Sequence, residues 1–379
     1  MLHLTVKNFG VLKDIDIELN KTNLFIGDNG SGKSTLAKLI TVITEFTLDE
    51  IGIQKRFQDF AIDFLNEKCF IQLTEDNKHI LEISGTKINF FQLKYDSLEV
   101  IKQSNELLKI AKQLLDTMQE DEKLSDNITD DEIKTTLFEL DNHISKLSSQ
   151  YIPAERNLIS LFNQSLSNMI SAEIPLPKTL LEFSASYNSA RNELKELDIL
   201  GMQYKNENSQ DRIYYEDANS LALENSSSGI QSALPLYLTL KYFATKHNNI
   251  IIEEPELNLF PKSQIETVKF MIENSGASDL SIMTHSPYIL SILNVLIFAH
   301  KASNTNDSLK EKISAIIPKE QQINPDEFSA YLIENGVSKS IKSESTGMIQ
   351  SNVIDDISDE LDDSYNELME IYREFKSDK

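Results

Sequence analysis

The sequence predicts an α/β fold: a mixed, largely parallel sheet with helices on both faces. Three observations carry that expectation. First, a glycine-rich loop, Gly27-Asp28-Asn29-Gly30-Ser31-Gly32-Lys33-Ser34-Thr35, follows the apolar run Asn23-Leu24-Phe25-Ile26 and precedes Leu36, Ala37, Leu39, Ile40, Val42 and Ile43 at helical spacing. Second, short apolar strands at Asn249 to Glu254 and Leu280 to Thr284 alternate with helical segments after Pro261 and Pro287, the pattern of a parallel sheet covered on both sides. Third, residues 2–19 alternate apolar and polar around Asn8-Phe9-Gly10, as paired antiparallel strands do.

Taken in order, the chain opens with that pair, in which Leu2, Leu4, Val6, Ile15, Ile17 and Leu19 share one face. The glycine loop and its helix follow. Residues 57–65 read as a helix, and Phe70 to Leu73, Ile80 to Ile83 and Ile88 to Leu93 as strands, with Gly85 in the last turn. From Leu98 to Leu147 the sequence is charged, lacks Gly and Pro, and carries two apolar stripes around an acidic turn at Asp121 to Asp131. This predicts a helical hairpin. It reads equally well as a functional arm or as a solvated helix pair lying on the body.

An extended segment resumes at Tyr151-Ile152-Pro153-Ala154-Glu155-Arg156. Helices are expected from Leu158 to Leu200, broken at Pro175 and Pro177. Met202 to Glu216 reads as a hairpin turning at Asn206 to Ser209. Asn225-Ser226-Ser227-Ser228-Gly229 opens a helix from Ile230 to about Lys246, with serine as the favoured cap. Residues 301–328 read as irregular. Phe328 to Glu334 is an expected strand, Asn335-Gly336 its hairpin turn, and the residues beyond Asn352 an acidic helix.

The loop at 27–35 fits G-x-x-x-x-G-K-[ST] in its proper strand–loop–helix context. Glycines let backbone N–H groups turn towards phosphate oxygens, and the helix N-terminus adds partial positive charge. Lys33 is placed to reach the β- and γ-phosphates, and the Ser34 hydroxyl to ligate Mg²⁺. A strand-to-helix turn needing glycine only for its dihedrals would not also require Lys-Ser. The pattern therefore implies nucleotide binding, with Gly27, Asn29, Gly30, Ser31, Gly32, Lys33, Ser34 and Thr35 lining the phosphates.

Composition narrows the class. At 379 residues the chain can bury one large core or two smaller ones, and 25% charged with 40% apolar residues is the balance of a soluble globular protein. The formal net charge of −24 argues against broad nucleic-acid binding. It leaves room for a local basic groove. The single cysteine, Cys69, excludes an intrachain disulfide framework and fits a reducing cytoplasm. The N-terminus lacks the apolar core of a signal peptide, and the most apolar run, Ile289 to Ala299, is too short to span a bilayer.

Ile250-Ile251-Ile252-Glu253-Glu254 puts two acids at the end of an apolar strand, the Walker B arrangement. The first, Glu253, is expected to hold Mg²⁺ directly or through water. The second, Glu254, is expected to orient or deprotonate the attacking water. The simpler reading is a pair of solvated strand caps. Asp is usual at the first position, and the longer arm of Glu253 favours a water-mediated or shifted metal contact.

With Glu253-Glu254-Pro255-Glu256-Leu257-Asn258-Leu259, Thr284-His285-Ser286-Pro287 and Ser227-Ser228-Gly229-Ile230-Gln231 added to the glycine loop, the chain resembles the ABC-type ATPase heads shared by SMC, Rad50 and RecF proteins. It is most similar to the AAA family ATPases of bacterial anti-phage systems, such as the Septu ATPases and the ATPase part of OLD nucleases. The resemblance covers 1–95 and 151–300. It implies a P-loop NTPase head with an N-terminal β subdomain and a helical insertion. The division is 1–96 for the first part of the head, 97–150 for the insertion, 151–300 for the second part, and 301–379 for a hairpin and acidic helix.

By that resemblance Ser228 and Gly229 match the signature loop, which binds the γ-phosphate held by an opposing subunit. Ser227 replaces the usual Leu there and Ile230 the second Gly; an ordinary serine cap is the alternative. His285 matches the switch histidine that senses γ-phosphate, Asn258 lies in the D-loop region, and Arg156 lies near the Q-loop. For Arg156 a phosphate or interface role and a buried ion pair stay equally open.

The resemblance further implies a head-to-tail homodimer or higher oligomer sandwiching ATP and Mg²⁺, in the cytoplasm and without a membrane. Lys33, Glu254 and His285 would be its catalytic groups. No nuclease constellation follows His285, and the acids after Asn352 read as a solvated helix. The expected partner is therefore a separate effector, a nuclease, gated or scaffolded by this ATPase. Two alternatives stand beside it: a RecF- or Rad50-like repair ATPase that clamps DNA itself, and a slowly hydrolysing nucleotide-dependent scaffold.

Overall fold

The computed structural model describes residues 1–45, 50–91 and 149–350, apart from 163–164, 166–168, 170, 209, 217–218, 245, 247–248 and 306. The expected helical hairpin and the acidic C-terminal helix lie outside the described residues; of the expected insertion 97–150 only Ser149 and Gln150 are described, and they begin a strand.

The chain begins with β1 (Leu2–Phe9), β2 (Leu12–Leu19) and β3 (Thr22–Ile26), then α1 (Lys33–Ile43), α2 (Glu50–Asp59), β4 (Phe70–Glu75), β5 (Lys78–Ser84) and β6 (Lys87–Phe90). It continues with β7 (Ser149–Ile152), α3 (Asn157–Phe162), α4 (Lys178–Glu193), β8 (Glu196–Ile199), β9 (Met202–Glu207), β10 (Gln210–Glu216) and β11 (Asn219–Ala222). Then come α5 (Ser228–Phe243), β12 (Asn249–Glu253), α6 (Pro261–Asn274), β13 (Asp279–Thr284), α7 (Pro287–Thr305), α8 (Asp307–Ser314), β14 (Phe328–Glu334) and β15 (Val337–Ser340).

Eleven strands form one sheet in the order β6-β5-β4-β1-β2-β15-β14-β3-β13-β12-β7, and β11-β10-β9-β8 form a second. The large sheet is mixed. β14, β3, β13, β12 and β7 run parallel, whereas β6, β5, β4, β1 and β2 form an antiparallel meander continuous with them. Both faces of the parallel part are covered, so its strands are buried on both sides, as in Asn249 to Glu253 of β12 and Thr22 to Phe25 of β3. Alternate residues divide between two cores: Leu24, Ile250, Ile252, Leu280 and Ile282 pack with α5, α6 and α7, while Phe25, Ile251 and Met283 pack with α1, α2 and the meander.

Four sequence expectations change. The helix expected at 57–65 instead ends at Asp59. A Schellman motif stops it: the Ile62 amide donates to the Phe57 carbonyl at 2.8 Å and Ala61 to Gln58 at 3.0 Å, with Ala61 left-handed at φ 53. The helical stretch expected to reach Leu200 ends at Glu193, and β8 follows, with Leu197 and Ile199 buried between exposed Glu196 and Asp198. The interval 301–328 holds the end of α7 and all of α8 rather than irregular chain. Finally, β11 adds a strand beyond the expected hairpin. Among the described residues no helix is long and apolar enough to cross a membrane.

Candidate functional site

The parallel strands end side by side, and their registers decide which residues meet. Ile26 pairs with Thr284 and Leu332, Glu253 with Met283, and Ile252 with Ile152. The next residues along β3, β13 and β12 are therefore Gly27, His285 and Glu254, all at the carboxyl edge where ligands of α/β sheets bind.

The glycine loop wraps into α1, with Gly30 at φ 78 and Gly32, the N-cap, at φ 110. Gly27 is fixed by crowding: a Cβ there would lie 2.1 Å from the Ile333 carbonyl oxygen. The C-terminal hairpin β14–β15 thus forms a wall of the phosphate loop. Lys33 is buried. Its ammonium donates to the carbonyls of Gly27 at 2.7 Å and Asp28 at 2.9 Å and approaches Ser31 Oγ at 3.4 Å. Burial lowers its pKa, opposed by the charges of Glu254, Asp28, Glu253 and Glu256. Asn29 and Gly30 are exposed at the loop tip, and Thr35 is half-buried on α1.

Ser34 Oγ donates to Glu253 Oε2 at 3.0 Å, and the Tyr151 phenol Oη–H donates to Glu253 Oε1 at 2.7 Å. Glu253 is buried, and burial raises its pKa. The bonds from Tyr151 and Ser34 and the charge of Lys38 pull it back, while Glu155 adds to the rise. A buried carboxylate beside a hydroxyl is a hard-oxygen donor pair of the kind that holds Mg²⁺ together with substrate phosphates. The residues present fit that ion.

Glu254 takes a left-handed conformation, φ 44, and its amide donates to the Met283 carbonyl at 2.8 Å. His285 Nδ1 donates to the Gly27 carbonyl at 2.8 Å, and its Nε2 lies 3.3 Å from Glu254 Oε1. The structure thus brings Gly27, Lys33, Ser34, Glu253, Glu254 and His285 together at one sheet edge.

Ser228 and Gly229 stand apart from that group. They form the first turn of α5, whose cap is Ser227: its hydroxyl accepts from the Ile230 amide at 3.5 Å. Ser228 is exposed, and among the described residues no hydrogen bond engages its hydroxyl. The cap reading belongs to Ser227.

Arg156 lies away from the surface, and among the described residues it forms no ion pair. It is fully buried, and its guanidinium donates to four carbonyls: Ser232 at 3.0 Å, Pro153 at 3.1 Å, Glu253 at 2.7 Å and Glu254 at 2.6 Å. Burial pushes its pKa down to about 10, against the nearby charges of Glu256, Glu254, Glu253 and Glu155. It remains a cation at neutral pH. Sequence reasoning gave Tyr151 no role. Its signal, a hydroxyl-bearing residue in an apolar strand, becomes readable only once β7 is known to pair with β12. Cys69 is buried ahead of β4 with its thiol pushed up to about 11, which makes it a poor nucleophile.

A P-loop on a covered mixed sheet, with a lysine, a hydroxyl and two acids at the strand ends, defines a P-loop ATPase fold. The chain belongs to the AAA ATPase domain family, whose model matches residues 1–290. Among curated proteins, endonuclease GajA of Bacillus cereus (strain VD045) is 23% identical over 327 residues, 76% of this chain and 56% of that protein. The chain thus spans about half the length of this curated relative. Among solved structures, the SMC head domain from Thermotoga maritima aligns over 90% of this chain and 98% of its own, at 14% identity and TM-score 0.40. The Smc head domain bound to the C-terminal domain of ScpA, from Pyrococcus furiosus, aligns over 95% and 100%, at 12% identity and TM-score 0.37.

Proposed function

We propose that this chain is an ABC-type ATPase subunit that binds and hydrolyses ATP with Mg²⁺. In this reading it closes as a homodimer around the nucleotide and gates a separate effector of nuclease type in a cytoplasmic anti-phage complex. One observation carries the ATPase reading: Lys33, Ser34, Glu253, Glu254 and His285 converge on the carboxyl ends of three adjacent parallel strands.

In this reading the loop amides of residues 27–35 bind the phosphates. Lys33 exchanges its contacts with the Gly27 and Asp28 carbonyls for phosphate oxygens. Ser34 and Glu253 hold Mg²⁺, which when bound neutralises phosphate charge. Glu254 orients the attacking water and accepts its proton. His285 bridges Glu254 and the loop and so reports on the γ-phosphate end. Ser228, exposed at the start of α5, meets the phosphate of a second copy. The effector reading draws on the similarity to part of an endonuclease. The net charge of −24 disfavours direct DNA clamping.

The test is phosphate release and solution mass of the purified chain, with ATP and Mg²⁺, for wild type and Glu254→Gln. Turnover in wild type with nucleotide-locked dimers in the variant is the expected result. Absence of Mg²⁺-dependent turnover in wild type would refute the ATPase reading, and a mass indifferent to ATP the dimer.

A further inference from the structure

We infer that Glu256 is a positioning residue that holds His285 against the phosphate loop and ties it to the exposed turn at Asn258; this rests on the ATPase reading above. Glu256 Oε1 accepts from Thr284 Oγ1 at 2.7 Å and from the His285 backbone amide at 2.8 Å. It thereby fixes the residue that carries the imidazole and the residue before it. Thr284 Oγ1 accepts in turn from the Ser286 amide at 2.9 Å, and Ser286 Oγ donates to Gln264 Oε1 at 2.7 Å. Gln264 Nε2 donates to the Leu259 carbonyl at 3.0 Å, and the Leu259 amide donates to the Glu256 carbonyl at 2.9 Å. The chain of bonds is a closed ring joining the end of β13, the start of α6 and the turn between β12 and α6.

The ring has an outer side. Asn258 is exposed and left-handed at φ 62, and Phe260 is 77% exposed. Gly229 sits directly on this turn: a Cβ there would lie 2.9 Å from the Asn258 carbonyl oxygen. The ring therefore spans from a surface shared by Ser228's helix to the imidazole at Gly27. A carboxylate suits the joint because one oxygen can accept from two donors at once. Its other oxygen, Oε2, is buried without a hydrogen bond among the described residues, so Oε1 supplies both side-chain hydrogen bonds that Glu256 contributes to the joint.

The experiment is amide hydrogen exchange on the full chain, which needs no nucleotide, with turnover measured beside it. Glu256→Ala is expected to speed exchange at the His285 amide at least about tenfold, as loss of a hydrogen bond to a charged acceptor does, with the β13 amides at Leu280 and Ile282 still protected. Glu256→Gln, which keeps an accepting oxygen, is expected to restore protection at His285. In turnover, Glu256→Ala is expected to lower kcat at unchanged KM for ATP, and the Glu256→Ala/His285→Ala double variant to be no slower than His285→Ala alone. Unchanged exchange at His285, or losses that multiply in the double variant, would overturn the inference. If Glu256→Ala does not fold, Thr284→Val cuts the same ring, and unchanged exchange at Ser286 would overturn it equally. A wild type without turnover counts against the ATPase reading alone, since exchange still decides the positioning.

Discussion

Replacing Arg156 by Met asks how much of the site's architecture rests on one buried cation. The guanidinium is fully buried and spans the end of β7, the second turn of α5 and both Walker B acids through four carbonyls. Bonds from a charged donor are worth about 1.5–3 kcal/mol each, but they share one group and do not add. Against them stands the cost of burying the charge, visible in the fall of its pKa to about 10. Methionine removes that cost and leaves four carbonyls short of a donor. Each buried carbonyl left unsatisfied costs about 1–3 kcal/mol, less than additively where the chain relaxes, so the loss is a large share of a typical total stability of about 5–15 kcal/mol. Urea unfolding at pH 7 is the assay. Arg156→Lys keeps the charge, but its compact ammonium cannot span the same fork, so about half the loss is expected. The left-handed Glu254 depends on the same contacts, so turnover should fall more than ATP affinity. A loss under about 1 kcal/mol in Arg156→Met would refute the reasoning, because the carbonyls would then have found other partners.

Three further outcomes are expected. Glu254→Gln should keep ATP binding by calorimetry while lowering turnover by about 10²–10⁴, the usual contribution of a positioned general base; equal loss of both would assign Glu254 to binding. Ser228→Ala should leave unfolding within about 0.5 kcal/mol of wild type, since its exposed hydroxyl makes no hydrogen bond among the described residues, yet weaken ATP-dependent dimers by sedimentation. Loss of stability without loss of dimers would reverse that assignment. Asp279 is raised to about 6 by burial, opposed by Lys21. A carboxylate raised in the folded state contributes stability that is full below its unfolded value near pH 4 and lost as pH rises through 6. Asp279→Asn should therefore be more stable than wild type at pH 7.5, by at most about 3 kcal/mol from about 1.4 kcal/mol per pH unit, with the gap closing towards pH 4. A less stable Asn variant at pH 7.5 would show that the attraction of the Lys21 charge outweighs burial.

The phosphate loop, both acids and His285 were legible in the sequence because each sits at a strand end whose apolar run announces it. Local pattern suffices there. What stayed hidden depends on register and on the third dimension. Tyr151 acquires meaning only beside Glu253, through pairing of strands about a hundred residues apart in the chain. Arg156 was placed near the site by resemblance, but its four carbonyl partners belong to three separate segments. The Ile333 carbonyl against Gly27 could not be foreseen either, since nothing local says that β14 inserts beside β3. The helix ended by Ala61 was misplaced for a different reason: a left-handed alanine at a helix end breaks the preference for glycine.

Charge at the sheet edge explains why these pieces are arranged as they are. Lys33 lies in the field of Glu254, Asp28, Glu253 and Glu256, and Arg156 in that of Glu256, Glu254, Glu253 and Glu155. Two cations thus face five carboxylates, and Arg156 is wholly consumed by backbone. An anionic polyphosphate entering alone would meet Lys33 and the loop amides on one side and an excess of negative charge on the other. Glu253 pays for its burial with a raised pKa, the mark of a carboxylate whose compensation is incomplete. On the proposed function, a divalent cation arriving with the nucleotide would supply that compensation at the point where Ser34 and Glu253 meet. In that reading the acids would couple binding of the nucleotide to that of its metal, and Lys33, held on the carbonyls of Gly27 and Asp28, would be the group that an arriving phosphate draws away.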